Sequence, residues 1–313
     1  MNDKEFGQRV RYLREKLAIT REEFCEDELE LSVRQLSRIE AGQCKPTFSK
    51  IGFIASRLNM GLYELMPDYV QLPERYSRLK YEVLRTPTYG DQFLVEQRNQ
   101  MLTIIYDKYY DELPEEEKIA IDAFQSTIDV FETRSNQFGK EILDDYFEQV
   151  HRKEKYSIND LLIIRLYLEH IRDRDTDATI YHYFSSLVTH LPNQQEVMDS
   201  KELFILRDVI LISIGILGDR EDYEKIPSLF DALDKIMFLT QDFQKKPILN
   251  LLKWKYELHV NKNRDAAQSY FEEATLFAKL IGNDYLVHKI KEDWEEDSRL
   301  YDKNVLLTLL SFH

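Results

Sequence analysis

The sequence predicts an all-α protein, and three observations carry that prediction. Only nine glycines and eight prolines occur in 313 residues, which argues against phosphate-cradling loops, Rossmann turns and hairpin-rich β folds. Apolar residues make up 43% and charged residues 32%, a balance that suits amphipathic helices with solvated outer faces. Helical spacing of the apolar positions then continues for most of the chain. The length accommodates two domains at the usual scale of about 100 to 200 residues each.

Residues 1–66 read as four or five short helices. Phe6, Val10, Leu13 and Leu17 give the first an inward stripe. Thr20 with Glu23, and Ser32 with Gln35, are capping boxes, so helices start at about 21 and 33. Glu40-Ala41-Gly42 ends the second of these with a left-handed glycine cap, and Pro46-Thr47 opens a helix running to about Leu58. This is a helix-turn-helix arrangement. The run Thr20 to Glu23, the signature Ser37 to Gly42 and Pro46 resemble the Cro/C1-type (XRE) DNA-binding domain. The turn Asp27 to Leu31 is acidic and one residue longer than that family's, and Cys25 stands where alanine is usual, which suits a packing role.

A net charge of −15 looks hostile to nucleic acid, but its distribution matters more than its sum. Residues 1–66 hold eleven basic and eleven acidic side chains, so the acidic excess lies beyond them. Within Ser32 to Arg57, five cations (Arg34, Arg38, Lys45, Lys50 and Arg57) face the single acid Glu40. A recognition helix starting near Val33 would present Arg34, Gln35 and Arg38 to base edges, where an arginine donates two hydrogen bonds to guanine. Leu36 and Ile39 fall on its core side. Lys45, Lys50 and Arg21 would contact phosphates and set orientation. Gln35 serves equally well as a cap that never reaches DNA, and the bland alternative for the arginines is a solvated charged face.

Residues 67–75 carry two prolines and read as a linker, followed by a repeat domain over 76–302. Its signature is an apolar residue, an aromatic four later and an apolar or aromatic residue three further on. It recurs as Leu102/Tyr106/Tyr109, Leu143/Phe147/Val150, Ile180/Phe184/Leu187, Ile226/Phe230/Leu233 and Ala267/Phe271/Ala274. That period suggests stacked helix pairs, none able to bury its face alone, and the last copy resembles the second helix of a tetratricopeptide repeat (TPR). Such an array offers a concave groove for a peptide, and an arginine suits a peptide carboxylate. The tail 303–313 is apolar for a chain end and reads as a cap or dimer contact.

Enzyme readings find little support. No GxxxxGK[ST], GxGxxG or HExxH occurs, and Glu148 with His151 forms one ExxH where a di-iron bundle needs two. Cys25 and Cys44 lack paired metal spacing and read as reduced and structural. No cofactor is expected. The longest apolar stretch, Val209 to Leu217, is too short for a membrane span, and Asp3 and Glu5 do not fit a signal peptide, so a cytoplasmic location without a membrane partner is expected.

The combination resembles the Gram-positive regulators that bind imported peptide pheromones, the Rgg, PlcR and PrgX-like family. Ser32 to Leu36 with Arg38 to Glu40, Tyr109 to Glu117, Phe147 to Val150 with Arg152-Lys153, and Lys155 to Ser157 with Asn159 to Leu161 look like its ComR branch, activators of competence. The resemblance implies an activator that binds a short hydrophobic, tryptophan-containing pheromone in the repeats and then a palindromic double-stranded promoter as a homodimer. It places Arg98 where that branch carries a basic residue proposed to hold the peptide's C-terminal end, while Gly90 replaces a second basic position. Glu115, Glu116 and Glu117, just after Pro114 at an expected helix start, are the expected latch that holds Arg34 and Arg38 in the absence of peptide. A peptide-independent XRE-type repressor and a TPR adaptor remain alternatives.

Overall fold

The computed structural model describes residues 2–66, 72–172 and 178–311, with the side chains of 63–64, 178–182 and 304–311 outside that description. Helices are the only regular structure among the described residues. The chain divides into two compact units, Met1–Thr88 with Gln92–His170, and Tyr89–Asp91 with Ile171–His313.

The first unit begins with five short helices: α1 (Asp3–Lys16), α2 (Arg21–Cys25), α3 (Val33–Glu40), α4 (Phe48–Arg57) and α5 (Leu62–Leu65). Both capping boxes form. Thr20 accepts from the backbone of Glu23 and Ser32 from that of Gln35, each glutamate or glutamine side chain returning to its cap's N–H. Phe6, Val10, Phe24, Cys25, Leu36, Ile39, Ile51 and Ile54 close into one core, and burial pushes the Cys25 thiol up to about 12. The stripe of α1 is shorter than its spacing suggests. Leu17, the fourth position of that stripe, lies past the helix end and is 49% exposed, where Ala18 takes φ 55° and turns the chain.

Gly7 lets α1 approach α3 closely: a Cβ there would lie 2.0 Å from the Ile39 carbonyl oxygen. Gly7→Ala is therefore expected to destabilise this module by roughly 1–3 kcal/mol through overpacking, read as a lower melting temperature by circular dichroism. Gly42 adopts φ +67°, as its cap role requires, and a Cβ there would come within 2.6 Å of the Lys4 Cα.

The unit continues with α6 (Glu74–Arg85), α7 (Gln92–Lys108) and α8 (Glu115–Thr133), then a helix in three parts, α9 (Lys140–Ile142), a π-helical turn (Leu143–Phe147) and α10 (Glu148–His151), and then α11 (Ile158–Ile171). The copy Leu143/Phe147/Val150 thus falls on the π turn. Phe147 and Val150 stay buried, with Phe147 stacked on Tyr167 at 4.0 Å, while Leu143 is half-buried. The sequence 67–71 lies outside the described residues.

The second unit holds α12 (Ala178–His190), α13 (Leu203–Asp219), α14 (Ile226–Thr240), α15 (Lys246–Tyr256), α16 (Arg264–Leu280) and α17 (Asp284–Ser311). Ala267 and Ala274 are fully buried, so α15 and α16 pack closely. Beside them Trp254, Phe271 and Trp294 cluster at 4.8–6.0 Å, and the Trp254 indole donates to Asp297 at 2.8 Å. The apolar tail from 304 to 313 has a helical backbone to Ser311, but its side chains lie outside the described residues. No helix among the described residues is long and apolar enough to cross a membrane.

Candidate nucleic-acid interface

The recognition helix α3 is amphipathic in the sense its role needs. Leu36 and Ile39 are buried, whereas the Arg34 side chain is 64% exposed and that of Arg38 38%. Beneath it, Glu40 is buried and accepts from Arg14 Nε at 2.6 Å and Arg21 Nε at 2.8 Å. Arg21 therefore braces the module here. Gln35 is 5% exposed, and its side-chain oxygen accepts from the Ser32 N–H at 3.2 Å and the Lys50 ammonium at 2.6 Å. The cap alternative accounts for these contacts. Arg34, Arg38 and Ser37 line one wall of an open cleft of about 710 Å³ whose other walls include Arg11, Arg14 and Arg21.

The same cations meet carboxylates from farther along the unit. Arg34 pairs with Asp145 on the π turn and Arg38 with Glu115 at the start of α8. The Tyr146 hydroxyl donates to the same Glu115 oxygen at 3.0 Å. Lys50 binds Glu116 at 2.7 Å, and the Thr47 hydroxyl donates to Glu116 at 2.5 Å. Two backbone contacts complete the seam: the Glu115 N–H donates to the Lys45 carbonyl at 3.0 Å, and the Gln149 amide to the Leu29 carbonyl at 3.0 Å. Lys45 thus contributes its backbone, with its side chain half-buried.

Glu115 and Glu116 lie in the first turn of α8, where unpaired N–H groups and the helix dipole favour acids. Glu117 occupies that turn but points away from α3. It is 7% exposed and accepts from the Tyr76 hydroxyl at 2.6 Å, Lys80 at 2.6 Å and the Asn159 amide at 2.9 Å. Burial works to raise its pKa, and the Lys80 charge and these hydrogen bonds outweigh it and hold the carboxyl below the usual range. Sequence reasoning missed Asp145, Tyr146, Thr47 and Gln149; the acidic run Asp144-Asp145 beside an aromatic was the available signal.

Lys50, expected on a phosphate, is 7% exposed in this arrangement. Burial pushes its pKa down to about 7, with repulsion from Lys153 adding to burial and Asp160, Glu115 and Cys44 opposing it. Several of these groups lie outside the module, so docking itself contributes to the shift. A docked Lys50 near 7 against an ordinary lysine at 10.5 means that docking releases a proton between those values. Docking is therefore expected to tighten as pH rises from about 7, and peptide-free DNA binding to fall, by up to about tenfold per pH unit. Fluorescence anisotropy on labelled DNA across that range checks this, with Lys50→Met expected to remove the dependence.

Arg98 lies on α7 with its side chain 13% exposed. It contacts the Asn99 side chain at 3.4 Å and approaches Glu132 only to 4.0 Å. Gly90 takes φ +84° in a turn of the second unit, where the neighbouring Tyr89 hydroxyl donates to the Gln244 carbonyl at 2.8 Å.

Comparison with known proteins identifies the family. The ComR tetratricopeptide family model matches residues 73–294. The chain is similar to ComR from Streptococcus suis, with 61% identity over 95% of this chain and 96% of that one and a TM-score of 0.82. It resembles the apo form of the competence regulator ComR from Streptococcus vestibularis at 30% identity, covering 94% and 98% of the two chains, with a TM-score of 0.82. Against that regulator in complex with its cognate signaling peptide XIP, identity is again 30%, coverage 95% and 99%, and the TM-score 0.66. No curated protein matches the chain significantly. A family model spanning well over half of the sequence, joined to 61% identity across nearly all of a solved ComR, shows that the chain belongs to the ComR family.

Proposed function

We propose that this chain is a cytoplasmic, peptide-responsive transcriptional activator of competence. In this reading a short hydrophobic peptide pheromone binds the repeat domain, 76–302, and the helix-turn-helix domain, 1–66, then binds a palindromic promoter as a homodimer. Arg34 and Arg38 read bases, while Lys45, Lys50 and Arg21 reach phosphates. The observation that carries the proposal is the engagement of Arg34, Arg38 and Lys50 by Asp145, Glu115 and Glu116. A cation paired in this seam is unavailable to DNA, so docking and promoter binding exclude one another, and a ligand that disfavours docking activates. Support also comes from the relative whose structure holds its signalling peptide, and from the higher whole-chain TM-score against that relative's apo form, 0.82 rather than 0.66. The Arg34–Asp145 pair is exposed enough to contribute only roughly 0–1 kcal/mol, so the more buried pairs of Arg38 and Lys50 carry more of such a latch.

The test is anisotropy on an operator selected from random DNA, with and without a library of short apolar, tryptophan-containing synthetic peptides. Peptide-dependent binding supports the proposal. Equal binding without peptide favours a constitutive repressor, and peptide binding without DNA binding favours an adaptor.

A further inference from the structure

Of the cations in Ser32 to Arg57, Arg34 and Arg38 line the cleft, Lys50 sits in the seam and Lys45 lends it a carbonyl. Arg57, in the last turn of α4, turns instead to the end of α2. Its Nε–H donates to the Phe24 carbonyl at 3.0 Å, one terminal nitrogen donates to the Glu23 carbonyl at 2.7 Å, and the other pairs with the Glu26 carboxylate. The guanidinium also lies over the buried Phe24 ring, 5.9 Å from its centroid. A helix leaves its last four carbonyls without partners inside it. In α2 the Glu26 N–H serves the Glu22 carbonyl, the Glu28 N–H serves that of Cys25 at 2.9 Å, and Arg57 supplies the two between.

The chain then makes a turn that its residues do not favour. Glu26 takes φ 53° and Glu28 φ 61°, left-handed values that strain a non-glycine residue and persist only where surrounding contacts fix them. Those contacts form a path to the recognition helix. The Leu29 N–H donates to the Asp27 carboxylate at 3.0 Å, and the Glu28 carboxylate accepts at 3.0 Å from the N–H of Val33, the first residue of α3. Arg57 thus grips one end of the turn, and Glu28 ties the other to α3 one residue before Arg34.

We propose that Arg57 is the positioning residue that sets the angle of α3 on DNA, acting through the α2–α3 turn and Glu28 on Arg34 and Arg38, with no base or phosphate contact of its own. The inference rests on the DNA-binding reading and concerns how the module tells one sequence from another. Base readout is directional, because two guanidinium hydrogen bonds must meet guanine O6 and N7 together, whereas attraction to phosphates tolerates a tilted helix. A loosened turn therefore lowers preference for the operator and leaves general DNA affinity. Arg57→Lys keeps the charge but loses the planar fork that spans two successive carbonyls and a carboxylate.

The experiment is fluorescence anisotropy on the full-length protein with the selected operator and with a random-sequence duplex of the same length. Docking withholds the module from both duplexes alike, so the ratio of the two affinities does not depend on the latch. In Arg57→Lys the operator affinity should fall about tenfold, with the random duplex and its salt slope unchanged. In a protein already carrying Arg34→Ala and Arg38→Ala, the same substitution should cost about twofold or less, because its effect passes through those side chains. A wild-type ratio in Arg57→Lys, an equal loss on both duplexes, or an undiminished loss without Arg34 and Arg38 would overturn the inference. Should Arg57→Lys not fold, Glu28→Asn decides: asparagine tolerates the positive φ but is one methylene shorter and loses the Val33 N–H, so an unchanged ratio there removes the path. A wild type with no preference for the operator would instead defeat the DNA-binding reading.

Discussion

Arg38→Ala is expected to lower affinity for the selected operator by about 5- to 150-fold, the effect of losing about 1 to 3 kcal/mol of base discrimination. Arg34→Ala should behave alike. The direction is informative, because both arginines also hold the seam through Glu115 and Asp145. If they served only to dock the module, their removal would free it and raise DNA binding. Loss of operator binding with normal circular dichroism therefore identifies them as readers, and a gain would assign them to the latch alone. Non-specific affinity should fall less, since phosphate contacts remain, which a competition with random DNA measures.

Reversing Glu115 and Glu116 to lysine should have the opposite sign. The double variant places cations against Arg38 and Lys50, and Lys50, already buried, loses its carboxylate partner. At Arg38, whose partner Glu115 is 10% exposed, replacing the carboxylate with a like charge costs more than an exposed pair contributes, so peptide-free operator binding should rise by roughly ten- to a hundredfold. The rise should be larger at low ionic strength, where charges act over longer distances. Glu117 is left unchanged because its bonds to Tyr76, Lys80 and Asn159 hold α6, α8 and α11 together, and its removal would test stability instead. A double variant that still needs peptide to bind would place the control elsewhere.

The sequence by itself determined the all-α class, the helix starts at 21 and 33, and the left-handed cap at Gly42, because these depend on interactions within three or four residues. Thr20 and Ser32 find their partners in the next turn of the same chain, whatever surrounds them. Tertiary structure alone decided what the charged side chains do. Adjacent residues on a helix point about 100° apart, so Glu115 and Glu116 meet the cations of α3 and α4 while Glu117 turns into a buried network. Asp145 reaches Arg34 from 111 positions away, and Gln149 reaches the Leu29 carbonyl from 120. Local spacing carries no information about such pairs, since the partner is chosen by how helices pack and by which charges lose their water together.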